Sequence, residues 1–238
     1  MGVQLCEGVI NQTFDDLCRI LRRIAARKNT PIENLLDIGC WDGDKTMGYA
    51  EALGLPANGI YGVDYFDEPL KEAQSKFKAC KVDLEQDALP FDSNFFDIVI
   101  CNQVFEHLKQ VYRPMSEIHR ILRPGGVLLF SVPNLASLHN RLLMLFGAQP
   151  TSIRIIGPHV RGFTHSSLRK FIELNGMFHI VDETGVGFHP FPAKYAKLLA
   201  RTFPSLSHTV IFAAEKREAS NMPNWIDIVS GNGFQTTY

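Results

Sequence analysis

Residues 35–46, Leu-Leu-Asp-Ile-Gly-Cys-Trp-Asp-Gly-Asp-Lys-Thr, join an apolar run to a helix start through a turn that holds Gly39 and Gly43. The backbone N–H groups of such a turn, and of the helix behind it, are able to hold part of a ligand. Counted from Gly39, Lys45 and Thr46 fall where a phosphate-cradling G-x-x-x-x-G-K-[ST] loop needs them, but Asp44 stands at the second glycine. A carboxylate there would face phosphate oxygens. The dinucleotide pattern G-x-G-x-x-G is not met either, and Asp37, Asp42 and Asp44 crowd the turn with negative charge. Both phosphate readings lose. A ligand with an ammonium, a positive centre and a diol in place of phosphate would find hydrogen-bond acceptors in the same carboxylates.

A turn of this kind needs strands and helices to carry it. Short apolar runs at Leu35–Ile38, Ile60–Val63, Cys80–Val82, Ile98–Cys101 and Val127–Val132 alternate with helical stretches at about 45–53, 69–78 and 114–122. The runs are apolar throughout, as strands covered on both faces are. With two late strands, Phe178–Val181 and Val210–Ala214, the pattern predicts the α/β class. The expected architecture is a doubly wound, mostly parallel seven-stranded sheet with helices on both faces, and its ligands bind at the carboxyl ends of the strands. Phe14, Leu17, Leu21 and Ile24 recur at helical spacing and predict a first helix over 13–28. Further helices are expected at 135–146 and 165–175, the second stapled and capped by Phe163 and Thr164.

In order and interval, the motifs resemble the class I S-adenosylmethionine-dependent methyltransferases, in the small-molecule, type 11 (UbiG-like) group. The matching residues are Asp37, Gly39 and Gly43; Asp64 at the end of Ile60–Asp64; Asp83-Leu84; Phe96-Asp97-Ile98-Val99; Asn102-Gln103-Val104; Glu106-His107; and Leu122-Arg123-Pro124-Gly125-Gly126. The likeness covers about residues 30–215. It implies that S-adenosylmethionine is the cofactor. Asp37, Gly39 and Gly43 would then lie near its methionine part, Asp64 with Tyr65 at the ribose hydroxyls, and Asp83 with Leu84 about the adenine. Asn102 and Gln103 would line the same site. Trp41 departs from the pattern, standing where the family has its middle glycine. Its ring either turns away or forms an apolar wall of the pocket. A pocket remodelled by Trp41 would suit the alternative of a non-catalytic, cofactor-binding partner protein.

The resemblance further implies in-line transfer of a methyl group to a small molecule, at a hydroxyl oxygen. Positioning supplies up to roughly 7–11 kcal/mol of such a reaction, and a general base adds ~10²–10⁴-fold. His107 is a candidate base, with capping or packing as its plain alternative. His159 and Arg161, in Gly157–Thr164, are candidates for holding or activating the acceptor, or for pinning their loop. Asn134 either touches substrate or forms a turn. Leu142, Leu143, Leu145 and Phe146 are expected to pack as core, with a lid over an apolar acceptor as the alternative. His119, His139, His165, His179, His189 and His208 show no ligand spacing, so no metal is expected.

One domain is expected over 1–216, with an N-terminal helical segment 1–30, an acceptor-side cover at 135–164 and a tail at 217–238. The tail is mostly polar, and Trp225, Ile226 and Ile228 are its docking candidates. Of the 238 residues, 45% are hydrophobic and 21% charged, which argues against disorder. A formal net charge of -1 gives no field to recruit nucleic acid. The five cysteines are scattered and suggest neither disulfides nor zinc, Met1–Ile10 lacks a signal-peptide pattern, and no apolar stretch is long enough to cross a bilayer. These features predict a cytoplasmic protein without membrane insertion, whose partner is a small-molecule acceptor.

Overall fold

The computed structural model describes residues 2–28, 30–217 and 225–226. Seven strands, β1 (Leu35–Ile38), β2 (Ile60–Asp64), β3 (Lys78–Lys81), β4 (Phe96–Asn102), β5 (Leu122–Pro133), β6 (Phe178–Val186) and β7 (Thr209–Lys216), form one sheet. Their order is β3-β2-β1-β4-β5-β7-β6. The pairs from β3 through β5 are parallel, and β7 runs antiparallel to both of its neighbours. The helices are α1 (Gly2–Arg27), α2 (Asp44–Leu53), α3 (Asp67–Lys76), α4 (Tyr112–Ile121), α5 (Leu138–Leu145), α6 (His165–Ile172) and α7 (Ala193–Thr202).

Continuous apolar runs make the central strands because both faces of the sheet are covered. Leu36, Ile38, Val99, Cys101, Leu128 and Phe130 point into one core, where Met115, Ile118 and Ile121 of α4 and Leu168 and Ile172 of α6 meet them. The alternate residues Leu35, Ile98, Ile100, Val127 and Leu129 enter a second core with Leu17 and Leu21 of α1, Tyr49 of α2 and Leu70 and Ala73 of α3. β2 and β4 flank β1 on opposite sides, so the chain runs outward from β1 through β2 to β3 and then returns to β4 on the other side. A crevice opens there, at the carboxyl ends.

Two helices differ from the sequence reading. α1 begins at Gly2 and not at residue 13, because Thr13 does not cap a helix start. Its hydroxyl donates back to the Val9 carbonyl at 2.7 Å, inside a continuing helix. α7 was not foreseen; Ala196 and Ala200 seat it on Phe188. In the tail, Trp225 is fully buried, its indole N–H donating to the Phe171 carbonyl at 2.8 Å, whereas Ile226 is partly exposed and Ile228 lies outside the described residues. No helix among the described residues is long and apolar enough to cross a membrane.

Gly43 opens α2 at φ 85°, and a Cβ there would stand 2.7 Å from the Phe77 ring. Replacement by alanine adds a left-handed backbone penalty of about 1–2 kcal/mol and an overpacking cost of about 1–3 kcal/mol. We expect Gly43→Ala to lose about 2–5 kcal/mol in urea denaturation; an unchanged midpoint would mean that α2 and Phe77 part freely.

Candidate functional site

The carboxyl ends of β1 to β4 enclose a cavity of about 550 Å³, within the ~300–1,000 Å³ usual for small-molecule sites. Gly39 follows β1 at φ 81°, where a Cβ would lie 2.6 Å from Val104 Cγ2. Trp41 then adopts φ 50°, and its N–H donates to Asp64 Oδ2 at 2.8 Å. Asp64 Oδ1 accepts the Phe66 N–H at 3.0 Å. One carboxylate thus joins the turn after β1 to the turn after β2, while Asp64 itself lines the cavity. Trp41, Tyr65 and Phe66 make an aromatic rim, with ring centroids 5.7 Å apart for Trp41–Phe66 and 5.5 Å for Tyr65–Phe66.

The opposite wall comes from the loops after β3 and β4. Asp83 and Leu84 lie on it, Asp83 accepting the Glu85 N–H at 3.0 Å. Glu85 Oε1 accepts the N–H groups of Lys109 and Gln110 at 2.7 and 2.9 Å, which binds the two loops together. Asn102 ends β4; its Oδ1 accepts the Ser131 hydroxyl at 2.5 Å and its Nδ2 donates to the Tyr49 hydroxyl at 3.2 Å. Gln103 follows at φ 58°, its N–H on the Ser131 carbonyl at 3.0 Å. Val63, Val82, Val104 and Leu108 supply apolar surface between these groups.

Among the described residues, the wall carries Asp64, Asp83 and Glu85 and no lysine or arginine. A phosphate-bearing ligand would meet three carboxylates without a compensating cation. A sulfonium, an ammonium and a ribose diol are matched by the same groups, so the residues present fit S-adenosylmethionine.

Two residues expected at the cofactor stand behind the wall. Asp37 is buried beneath the turn and accepts the Thr46 hydroxyl at 2.6 Å. Burial pushes its carboxyl up to about 7, against the Thr46 hydrogen bond. Gly43 packs on Phe77, and its conformation serves the start of α2.

On the side next to Pro158, His107 closes the short 3-10 turn Phe105–His107 and lines the cavity. Its Nδ1 lies 3.2 Å from the Pro158 carbonyl oxygen, and burial together with neighbouring His159 holds the imidazole below its ordinary range. His159 is not on the wall. Its Nδ1 lies 2.9 Å from the Ser152 carbonyl oxygen, and its ring meets that of His107 edge to face at 4.9 Å. Glu106 is 1% exposed, and among the described residues neither of its carboxylate oxygens has a hydrogen-bond partner. Burial pushes that carboxyl up to about 8. One ligand atom each from Glu106, His107 and His159 lies within 4.8 Å of the others. Sequence spacing had suggested no such grouping, because His159 arrives from a loop 52 residues further on.

The other acceptor candidates are structural. Arg161 donates to the carbonyl oxygens of Leu108 and Lys109, and its N–H reaches the Glu106 carbonyl at 3.2 Å, so it pins its loop. Asn134 is fully buried; Nδ2 donates to the carbonyls of Ser205 and Ser207 at 2.9 and 3.0 Å, and Oδ1 accepts the Ala136 N–H at 3.0 Å. That leaves it nothing to offer a substrate. Thr164 caps α6 as expected, accepting the Ser167 N–H at 3.2 Å. Leu145 and Phe146 are 76% and 83% exposed and do not belong to a core.

The family described as methyltransferase domain matches residues 36–130. Demethylmenaquinone methyltransferase of Geobacillus stearothermophilus is 31% identical over 114 residues, 45% of this chain and 47% of that protein. The mitochondrial ubiquinone biosynthesis O-methyltransferase of Mus musculus is 26% identical over 171 residues, covering 66% of this chain and 44% of that protein. The chain thus spans about half the length of the curated relatives it matches. Among solved structures, an S-adenosylmethionine-dependent methyltransferase from Mesorhizobium loti aligns with a TM-score of 0.56 at 17% identity, over 83% of this chain and 96% of that one. This likeness concerns the fold.

The buried Asp37 carboxyl makes stability depend on pH. Its folded value, about 7, lies above the ordinary 3.8, so the native state keeps a proton that the unfolded chain releases. The associated stability is present below about pH 4 and is lost as pH rises through about 7. Asp37→Asn never ionises and retains an acceptor for Thr46. It should match wild type near about pH 4 and exceed it by on the order of 4 kcal/mol at about pH 8 in urea melts. An equal difference at both pH values would exclude this origin.

Proposed function

We infer that this chain, a class I S-adenosylmethionine-dependent methyltransferase, transfers the methyl group of that cofactor to a hydroxyl oxygen of a small molecule. The observation that carries this reading is the cavity wall: Asp64, Asp83 and Glu85 with no lysine or arginine among the described residues, at the switch point of the sheet, with His107 at the acceptor end. When bound, the cofactor supplies a methyl group already activated on a sulfonium sulfur.

The chain's own residues then act by holding and orienting. Asp64 accepts hydrogen bonds from the ribose hydroxyls with the lone pairs that Trp41 and Phe66 leave free. Tyr65 and Phe66 flank that end, Asp83 and Leu84 bracket the adenine, and Gly39, Asn102 and Gln103 hold the methionine part. Trp41 forms an apolar wall. His107 serves the acceptor with an electron-pair donor, His159 stands behind it, and Arg161 keeps the loop of His159 in place. Such positioning is worth up to roughly 7–11 kcal/mol of the barrier. The name of the mouse relative, an O-methyltransferase, supports oxygen as the methylated atom.

Calorimetric titration with S-adenosylhomocysteine tests the cofactor assignment. Asp64→Ala removes two or more charge-assisted hydrogen bonds and should weaken binding about 10–100-fold. A thermal melt run alongside registers the loss of the Trp41 and Phe66 contacts, which Asp64→Asn partly restores. Equal affinity in wild type and Asp64→Ala would remove Asp64 from the site. Turnover is then sought with labelled methyl donor across phenols, sugar hydroxyls and lipid-linked alcohols.

A further inference from the structure

Trp41, Tyr65 and Phe66 are each more than half exposed, yet they stand together on the rim of the cavity. Large apolar side chains gathered in the open mark places where something docks. Tyr65 has a partner over its ring, the Lys81 ammonium at 5.7 Å, itself paired with Asp67 at 2.6 Å. Trp41 is harder to explain from the fold. Its φ of 50° lies in the left-handed region, where glycine is at ease and other residues are strained. The bond to Asp64 is made by the backbone N–H, which glycine would offer equally. The indole meets Phe66, at 5.7 Å between centroids, and that ring is exposed as well. A strained backbone thus carries a large apolar ring into water at the mouth of a cavity. Strain of this kind gathers where ligands are held.

The turn beneath the ring is fixed. The Cys40 N–H donates to the Val63 carbonyl at 3.2 Å, the Trp41 N–H to Asp64 at 2.8 Å, and the Gly43 N–H to the Cys40 carbonyl at 2.9 Å. Movement is left to the side-chain torsions, which in exposed residues turn over in picoseconds to nanoseconds. The carboxylate that receives the Trp41 N–H is also the one whose remaining lone pairs are given above to the ribose hydroxyls. A sugar held by Asp64 therefore lies next to the indole.

We propose that Trp41 is a cofactor-binding residue whose indole packs over the ribose of S-adenosylmethionine and, backed by Phe66, shuts that sugar off from water. The proposal rests on the cofactor site inferred above. Contact is between the ring and the C–H face of the sugar. It is independent of the charge on sulfur, so it serves S-adenosylmethionine and S-adenosylhomocysteine alike. A tryptophan ring covers on the order of 150–250 Å². Withdrawing about a third of that from water corresponds to roughly ten- to thirtyfold in affinity.

The chain holds two tryptophans, Trp41 and the fully buried Trp225, so acrylamide quenching of the fluorescence reports on Trp41. Saturating S-adenosylhomocysteine should shield Trp41 from the quencher in the full-length wild type. Trp41→Gly suits a φ of 50° and should melt close to the wild-type temperature without ligand. By calorimetry it should bind S-adenosylhomocysteine roughly ten- to thirtyfold more weakly. Methylthioadenosine keeps the ribose and adenine but lacks the amino-acid part, and the same loss is expected for it. Binding of S-adenosylhomocysteine that leaves Trp41 as open to acrylamide as before overturns the proposal while the cofactor site stands, and this arm needs no variant. Equal affinity of wild type and folded Trp41→Gly overturns it too. A loss for S-adenosylhomocysteine with none for methylthioadenosine moves the indole to the amino-acid end and overturns the ribose contact. A wild type that binds no S-adenosylhomocysteine removes the cofactor assignment itself, and the proposal with it.

Discussion

The Asp64 carboxylate is the constraint on which the cavity depends. Its two oxygens accept the N–H groups of Trp41 and Phe66 at 2.8 and 3.0 Å, from two turns on neighbouring strands. Hydrogen bonds to an ionised acceptor are roughly twice as strong as neutral ones. The β1–β2 ladder extends into the same region, because Gly39 and Cys40 both donate to the Val63 carbonyl, at 2.8 and 3.2 Å. Position and conformation of the first turn are thereby set by the second strand, with Trp41 held at φ 50°. A residue that shapes the turns and lines the cavity links fold to site through one functional group.

The far side is organised differently, by loops that bind loops. Glu85 receives the N–H groups of Lys109 and Gln110, and the Glu106 carbonyl receives those of Val160 and Arg161. The segment between β4 and α4 is therefore clamped from the β3 side and from the segment after β5. Irregular backbone must satisfy its polar groups somewhere, and here it does so by assembling the wall. Beyond the clamp the segment after β5 changes character: Leu145, Phe146, Ile155 and Ile156 stand open to solvent.

What was legible in the sequence follows from this division. Strand ends are visible wherever an apolar run stops, so Gly39, Asp64, Asp83, Asn102 and Gln103 were placed correctly relative to the sheet, and all line the cavity. Asp37 and Gly43 lie in the same motif but face inward, and burial of that kind is set by α2 and Phe77, which no local pattern encodes. Asn134 and Arg161 were chosen for residue type, and their partners are carbonyl oxygens of loops that only the fold brings near. The grouping of Glu106, His107 and His159 was invisible for the same reason. α7 escaped because its buried contacts are two alanines, a weak apolar signal.

Trp41 shows how a position suited to glycine accommodates the largest side chain. Two properties of glycine matter at such a turn: access to positive φ and room for close approach. The first is retained, since Trp41 adopts φ 50° with its N–H fixed on Asp64. Left-handed backbone costs a non-glycine residue roughly 1–2 kcal/mol. The bond to the carboxylate and the edge contact with Phe66 offset that cost, the latter by about 0.5–1.5 kcal/mol. The second property is replaced. With 54% of its surface exposed, the indole extends outward along the rim and does not fill the cavity, which still measures about 550 Å³. Substitution here therefore lengthens an apolar wall beside Asp64 and leaves room for a ligand behind it.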